Sequence, residues 1–325
     1  MKASPLALNE WRDAAELAVV VAVAVETGLL QGLVTGPSDA PELAARLGLD
    51  ARAVRIVLAV LAEVGVVEER DGAYALTPDG RELLADPTSP RYMGGGMALW
   101  LENLRALARL PESLETGEPI VPRGAAPTEE GIARFMAGMA ARPRAQVERA
   151  VELALARAPG SPRVLDVGGG PGLYAREFLR RGAERVTLFD LPNTVDYVAE
   201  AYGLRDVERL DLARGNFLAD PLPAGPFDVV LLSNILHIYS PAENLALLRK
   251  AHGVLRPGGV VAVGDMVRGR SPRAARFAIV MLLRTEAGDT YTEAEYREWL
   301  EEAGFGRVRT DDVDPERQLI TAVRE

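Results

Sequence analysis

The sequence contains no cysteine. That excludes disulfides and thiolate metal sites, and it fits a reducing compartment, so a cytoplasmic protein is expected. Lysine is nearly absent: only Lys2 and Lys250 occur, and the other basic residues are arginine. There are 2 histidines, so imidazole chemistry must run through His237 or His252. The net charge of −10 makes the chain a poor general binder of nucleic acid or anionic membrane. A bilayer span needs roughly 20 apolar residues. The most apolar run, Leu17 to Val25, is too short and reads as a buried helix. Trp11, Arg12, Asp13 and Glu16 break up the N-terminus, which lacks a signal-peptide layout.

What is present is an ordinary globular composition. Hydrophobic residues make up 48% and charged residues 26% of 325, enough for a sizeable core in one large or two ordinary domains. The first part reads as helical. Glu16 to Leu33 is apolar all round, more than one small domain can cover, which predicts a homodimer with interlocking N-terminal helices. Ser38 or Asp39 begins a second helix that Gly48 stops, and Ala51 to Val64 forms a third. Asp71-Gly72 is a hairpin signal between two short strands, which completes a winged-helix pattern. The third helix carries Arg52 and Arg55 but then turns apolar, and the wing offers Glu68, Glu69 and Asp71. A dimerisation scaffold therefore fits better than a DNA-binding regulator, which stays as an alternative. Met97 to Leu110 and Glu129 to Ala158 read as further helices.

Beyond Pro159-Gly160, strand and helix signals alternate: RVLDV and RVTLFD, each followed by helix, a weak strand near Leu210, FDVVLLSN and GGVVAVGD, each again followed by helix, then a short helix TEAEYREWLEEAG and the strands RVRTDDV and QLITAVR. Continuous apolar strands between helices imply a mostly parallel sheet covered on both faces. The expected division is residues 1–158 and residues 159–325. The first of these strands runs into VLDVGGGPGLY, where glycines let backbone approach a ligand at a helix N-terminus. Gly170, Gly172 and Ala175, with Asp190 further on, fit a dinucleotide fingerprint, so an NAD-dependent oxidoreductase is one reading. Asp166, inside the strand, argues for another. A pyrophosphate gains nothing from a carboxylate there, whereas a cationic ligand does. Asp190 suits a ribose diol in either case.

The D-x-G-x-G-x-G turn, Asp190, LRPGG before the fifth strand and the terminal strand pair resemble class I S-adenosylmethionine-dependent methyltransferases. With the winged-helix region and NILHIYSPAENLALLRKA, the whole chain resembles the small-molecule O-methyltransferases of the plant caffeic acid and acetylserotonin type. The resemblance implies a Rossmann-like α/β catalytic domain preceded by a mainly helical dimerisation domain. It implies S-adenosylmethionine as cofactor, no metal, and a small, aromatic acceptor as substrate. It places Gly168, Gly170 and Gly172 along the methionine moiety, beside Asp166. Asp190 falls on the ribose, Asn216 and Phe217 by the adenine, and Ser233 at the pocket mouth. His237 matches the family's general base, and Asp265 one of the acids around it. Trp100, Phe135, Met139, Phe277 and Met281 match the acceptor pocket.

Four positions depart from that pattern, Asn216 among them, where Asp is usual. Thr290 and Ile238 stand where acids are usual, and Tyr239 replaces the usual Trp. A histidine with fewer acidic partners is less well oriented, which keeps C-methylation on the same scaffold open. Glu286 and Asp289 are candidates to compensate.

Overall fold

The computed structural model describes residues 4–89, 91–121 and 128–325. The chain divides into two compact units, Met1–Arg105 with Ala137–Pro143, and Ala106–Met136 with Arg144–Glu325.

In the first unit the opening helix runs Pro5–Glu26. It starts at Pro5 because Ser4 accepts the Ala7 N–H at 3.1 Å, and proline suits a first helical position. It stops at Thr27, where Gly28 turns left-handed at φ +74°. The apolar pattern expected to carry helix to Leu33 instead continues as a short turn that buries Leu29, Leu30 and Leu33. Asp39 caps the helix Ala40–Leu47, and Asp50 caps Ala51–Glu63. Asp71 and Gly72 both have positive φ, as a tight two-residue hairpin needs. They join β2 (Val67–Arg70) to β3 (Ala73–Leu76), and β1 (Ser38–Asp39) pairs antiparallel on the other side of β3. Leu43, Leu58 and Leu61 close the core beneath. On Pro5–Glu26 only Ala22 and Ala24 are buried, while Leu6, Leu8, Trp11, Leu17 and Val19 are exposed.

The second unit is built on seven strands: β4 (Arg163–Val167), β5 (Arg185–Asp190), β6 (Leu210–Arg214), β7 (Phe227–Ser233), β8 (Leu255–Asp265), β9 (Phe305–Asp312) and β10 (Gln318–Arg324). Their order is β6-β5-β4-β7-β8-β10-β9. Strands β4 to β8 pair in parallel, and β10 runs antiparallel to both neighbours. Alternate residues feed two cores: Val164, Leu188 and Leu231 on one face, Leu165, Val167 and Leu232 on the other. The chain leaves β4 for β5 on one side and later returns to lay β7 on the other. This is a topological switch point, where open α/β sheets bind ligands at their carboxyl ends.

The long helix expected over Glu129 to Ala158 is two helices, Glu129–Ala140 and Arg144–Leu155, broken before Pro143, which cannot donate the next helical hydrogen bond. Val147, Ala150, Val151 and Ala154 of the second helix share a core with Val164, Phe178 and Leu188. The contacts therefore divide the chain elsewhere than after residue 158: a helix that buries one face against the sheet belongs with the sheet.

Candidate active site

The Gly168 N–H donates to Phe189 O at 2.7 Å, carrying the β4–β5 pairing one residue past the strand. Gly168, Gly170 and Gly172 then adopt φ of +68°, +49° and +76°, which other residues enter only at a cost. Space is a second reason for glycine. A Cβ on Gly168 would meet Ile235 at 2.4 Å, and one on Gly172 would meet Leu204 at 2.9 Å. The helix Leu173–Arg180 follows without a side-chain cap.

Two carboxylates stand at this turn. Asp190, ending β5, accepts the Gly170 N–H at 3.0 Å and the Leu191 N–H at 2.8 Å. Burial raises its pKa against those two bonds. A carboxylate offers about four lone-pair sites, so room remains for hydroxyl donors. Asp166 is buried, and its Oδ2 has no hydrogen-bond partner. Burial and the neighbouring Asp190 push its pKa up to about 7, with only the Ala175 N–H pulling down. An orphaned buried acid beside a carboxylate with spare lone pairs, at a turn of left-handed glycines, suits a ligand carrying both a cation and a diol.

The second cluster lies past the end of β7. Asn234 has φ +59° and leads into the turn Leu236–Ile238. Because Ile235 packs where a Gly168 Cβ would stand, this turn abuts the glycine turn. His237 Nδ1 lies 2.7 Å from Asp265 Oδ1, and both residues are buried. Asp265, the last residue of β8, also accepts the Met266 N–H at 2.8 Å, the Tyr296 hydroxyl at 2.9 Å and the His237 backbone N–H at 3.3 Å. Burial alone would raise its pKa, but His237, the Met266 N–H and Tyr296 outweigh that and hold it below the usual carboxylate range. An ionised Asp265 is acceptor-only, so Nδ1 carries the proton and Nε2 is left as the acceptor. The Phe277 ring stands edge-on to the imidazole, centroids 4.9 Å apart.

The other expected residues fall as follows. Ser233 is half-buried and accepts from Asn234 Nδ2 at 3.2 Å. Asn216 is exposed, and its carbonyl is committed to the Leu218 N–H. Phe217 is buried edge-on to Tyr239, centroids 5.5 Å apart. Met281 is buried and Phe135 half-buried in the second unit, while Trp100 and Met139 belong to the first. Thr290 is buried with its hydroxyl on Ala274 O, and Asp289 is committed to Arg268 and the Thr290 N–H. Glu286 is exposed.

Sequence reasoning missed four supporting residues. Tyr296 holds Asp265, and burial together with that carboxylate keeps its pKa well above the ordinary phenol value. Asn244 donates to Leu236 O at 2.8 Å and Tyr239 O at 3.2 Å, and Tyr291 also donates to Tyr239 O, so both clamp the His237 turn. Lys250 binds the carbonyls of Phe217, Leu218 and Asp220, pinning the loop after β6. Tyr291, Tyr296 and Trp299 lie on or beside the helix Glu293–Glu302, whose apolar spacing was the only signal available.

A Rossmann-like sheet with a glycine turn, an acid ending β5 and a buried His–Asp pair at its carboxyl edge fits a group-transfer enzyme, and similarity to known proteins names the family. The O-methyltransferase domain model matches residues 123–306. The chain is 34% identical to the 3-hydroxy-5-methyl-1-naphthoate 3-O-methyltransferase of Streptomyces sahachiroi, over 88% of this chain and 85% of that one. It is 33% identical to the tetracenomycin polyketide synthesis 8-O-methyl transferase of Streptomyces glaucescens, over 89% and 88%. The solved structure of human N-acetylserotonin methyltransferase in complex with S-adenosylmethionine superposes with a TM-score of 0.85 at 23% identity, covering 100% of this chain and 99% of that one. The chain belongs to the O-methyltransferase family.

Proposed function

We propose that this protein transfers the methyl group of S-adenosylmethionine to a hydroxyl of a small aromatic acceptor, with His237 as general base. The observation that carries the reading is the His237–Asp265 pair beside the glycine turn, 2.7 Å apart and buried. Family membership favours the methyl donor over a dinucleotide.

Asp190 would hold the ribose hydroxyls, Gly168, Gly170 and Gly172 the methionine part, Asp166 its cationic end, and the loop carrying Asn216 and Phe217 the adenine, with Ser233 at the mouth. When bound, the donor supplies a methyl group on a positively charged sulfur. Asp265 fixes the imidazole tautomer, so that His237 Nε2 takes the acceptor's hydroxyl proton as the oxygen attacks. Asp265 then stabilises the imidazolium that forms. Phe277 shields one edge of the ring from water, and with Phe135 and Met281 it offers apolar surface to a flat acceptor. The naphthoate and polyketide relatives support an aromatic acceptor. The test is a panel of phenols, naphthols and hydroxylated polyketides with methyl-labelled donor. Label on oxygen is expected. Label on a ring carbon alone would make this a C-methyltransferase.

We also propose that the first unit is a winged-helix dimerisation domain. Leu6 is 69% and Leu8 56% exposed, on different sides of the opening helix, apolar surface that a second copy would bury. A dimer by light scattering at micromolar concentration is expected, and a monomer would refute it. Among the described residues no helix is long and apolar enough to cross a membrane. Together with the absence of cysteine, this supports a cytoplasmic location.

A further inference from the structure

We propose that Asp166 makes methyl-donor binding proton-linked: a cationic group of the donor meets its buried, unpartnered oxygen and drives a proton off the carboxyl. This rests on the function proposed above.

The geometry comes first. Asp166 lies on the β4 face that carries Val164, with Leu188 of β5 and Leu231 of β7 as its cross-strand neighbours. It is 1% exposed, and Oδ2 has no hydrogen-bond donor. That oxygen lies 3.0 Å from where a Cβ on Gly169, within the glycine turn, would stand. From β5 the charged group facing it is Asp190; from the helix Leu173–Arg180 it is the Ala175 N–H; from β7 the neighbour is apolar. No arginine, lysine or histidine contributes to its environment among the described residues. A buried carboxylate beside a second carboxylate, with no cation, is a costly arrangement. Burial and Asp190 therefore keep the proton on up to about pH 7.

An arriving cation reverses the balance. The neutral acid gives its proton to buffer, and carboxylate and cation remain as a pair. Above about pH 7 the acid is already ionised and binding releases nothing. Below it each binding event must expel a proton, so affinity falls by about tenfold per pH unit. The donor offers two cationic groups, an α-ammonium and a sulfonium.

Calorimetric titration of the full-length protein with S-adenosylmethionine, in two buffers of different ionisation enthalpy, reads the proton directly. About one proton released at pH 6 and nearly none at pH 8.5 is expected. Asp166→Asn should abolish the release and flatten the pH dependence. In case that variant folds poorly, the infrared carboxylic-acid band of the wild-type protein at pH 6, lost on binding, reports the same proton. S-adenosylhomocysteine keeps the ammonium and lacks the sulfonium. Release with both ligands assigns the ammonium, and release with the methyl donor alone assigns the sulfonium. Binding with identical heats in both buffers overturns the proposal, as does release that survives in Asp166→Asn. Failure of the donor to bind at all overturns the proposed function itself, and the proton linkage with it.

Discussion

Tyr296 donates its hydroxyl to Asp265 Oδ2 at 2.9 Å, while His237 Nδ1 engages the other oxygen of the same carboxylate at 2.7 Å. Neither Ile238 nor the buried Thr290 offers the histidine a second carboxylate. A tyrosine from the helix Glu293–Glu302 supports the pair instead, from behind the carboxylate. His237, Asp265 and Tyr296 form one buried chain of hydrogen bonds in which each member constrains the next.

Removing the Tyr296 hydroxyl tests that chain. A hydrogen bond to a charged group contributes about 1.5–3 kcal/mol. Tyr296→Phe should lower stability by that order in denaturant titration and lower kcat by roughly threefold to thirtyfold with KM unchanged. Lost stability with full kcat would restrict Tyr296 to a structural role.

His237→Ala should lose about 10²–10⁴-fold in kcat, the usual worth of general-base assistance. Calorimetric affinity for S-adenosylmethionine should stay within about twofold of wild type, because the proposed mechanism assigns the ring to the acceptor. Full turnover would leave positioning alone as the catalyst, or an acceptor that arrives already ionised.

Asp190→Ala removes the acceptor proposed for the ribose hydroxyls and also frees the Gly170 N–H. Donor affinity should fall at least about tenfold, with the circular dichroism spectrum retained. Equal affinity would place the ribose elsewhere.

Asp166 carries a stability signature in the free protein. The folded carboxyl holds its proton up to about pH 7, whereas an unfolded aspartate loses it near its ordinary, lower value. Between those limits the folded state binds more protons, so stability declines as pH rises through the window and stays at its lower level above it. Asp166→Asn removes that decline. The variant should gain on wild type by a few kcal/mol in chemical unfolding above pH 7.5, and by much less at pH 5. An equal difference at both pH values would show that Asp166 is not the titrating group.

The turn and strand ends that carry the candidate residues were legible in the sequence. Gly168, Gly170 and Gly172 could be read because a left-handed turn after a strand demands glycine locally. Asp190 and Asp265 could be read because strand ends announce themselves through apolar runs. The helix ends were less legible. The apolar run through Leu33 looked like continuous helix, yet Gly28 breaks it, and burial continues in a turn that helical spacing does not describe. Arg144–Leu155 looked like part of the helical region, because its amphipathic pattern says that it buries a face and not against what.

The sequence by itself determined the alternation of strands and helices, the glycine turn after β4 and the identity of the histidine at the sheet edge. Each of these depends on neighbours within a few residues, where backbone sterics and hydrophobic period dominate. Only the tertiary structure decided that Tyr296 meets Asp265 across 31 positions, that Asn244 and Tyr291 clamp the His237 turn, and that Asp166 keeps an oxygen with no donor. Those relationships arise where separate elements pack together. Burial there turns an unremarkable hydroxyl or carboxyl into a group whose partners, or lack of them, set its chemistry.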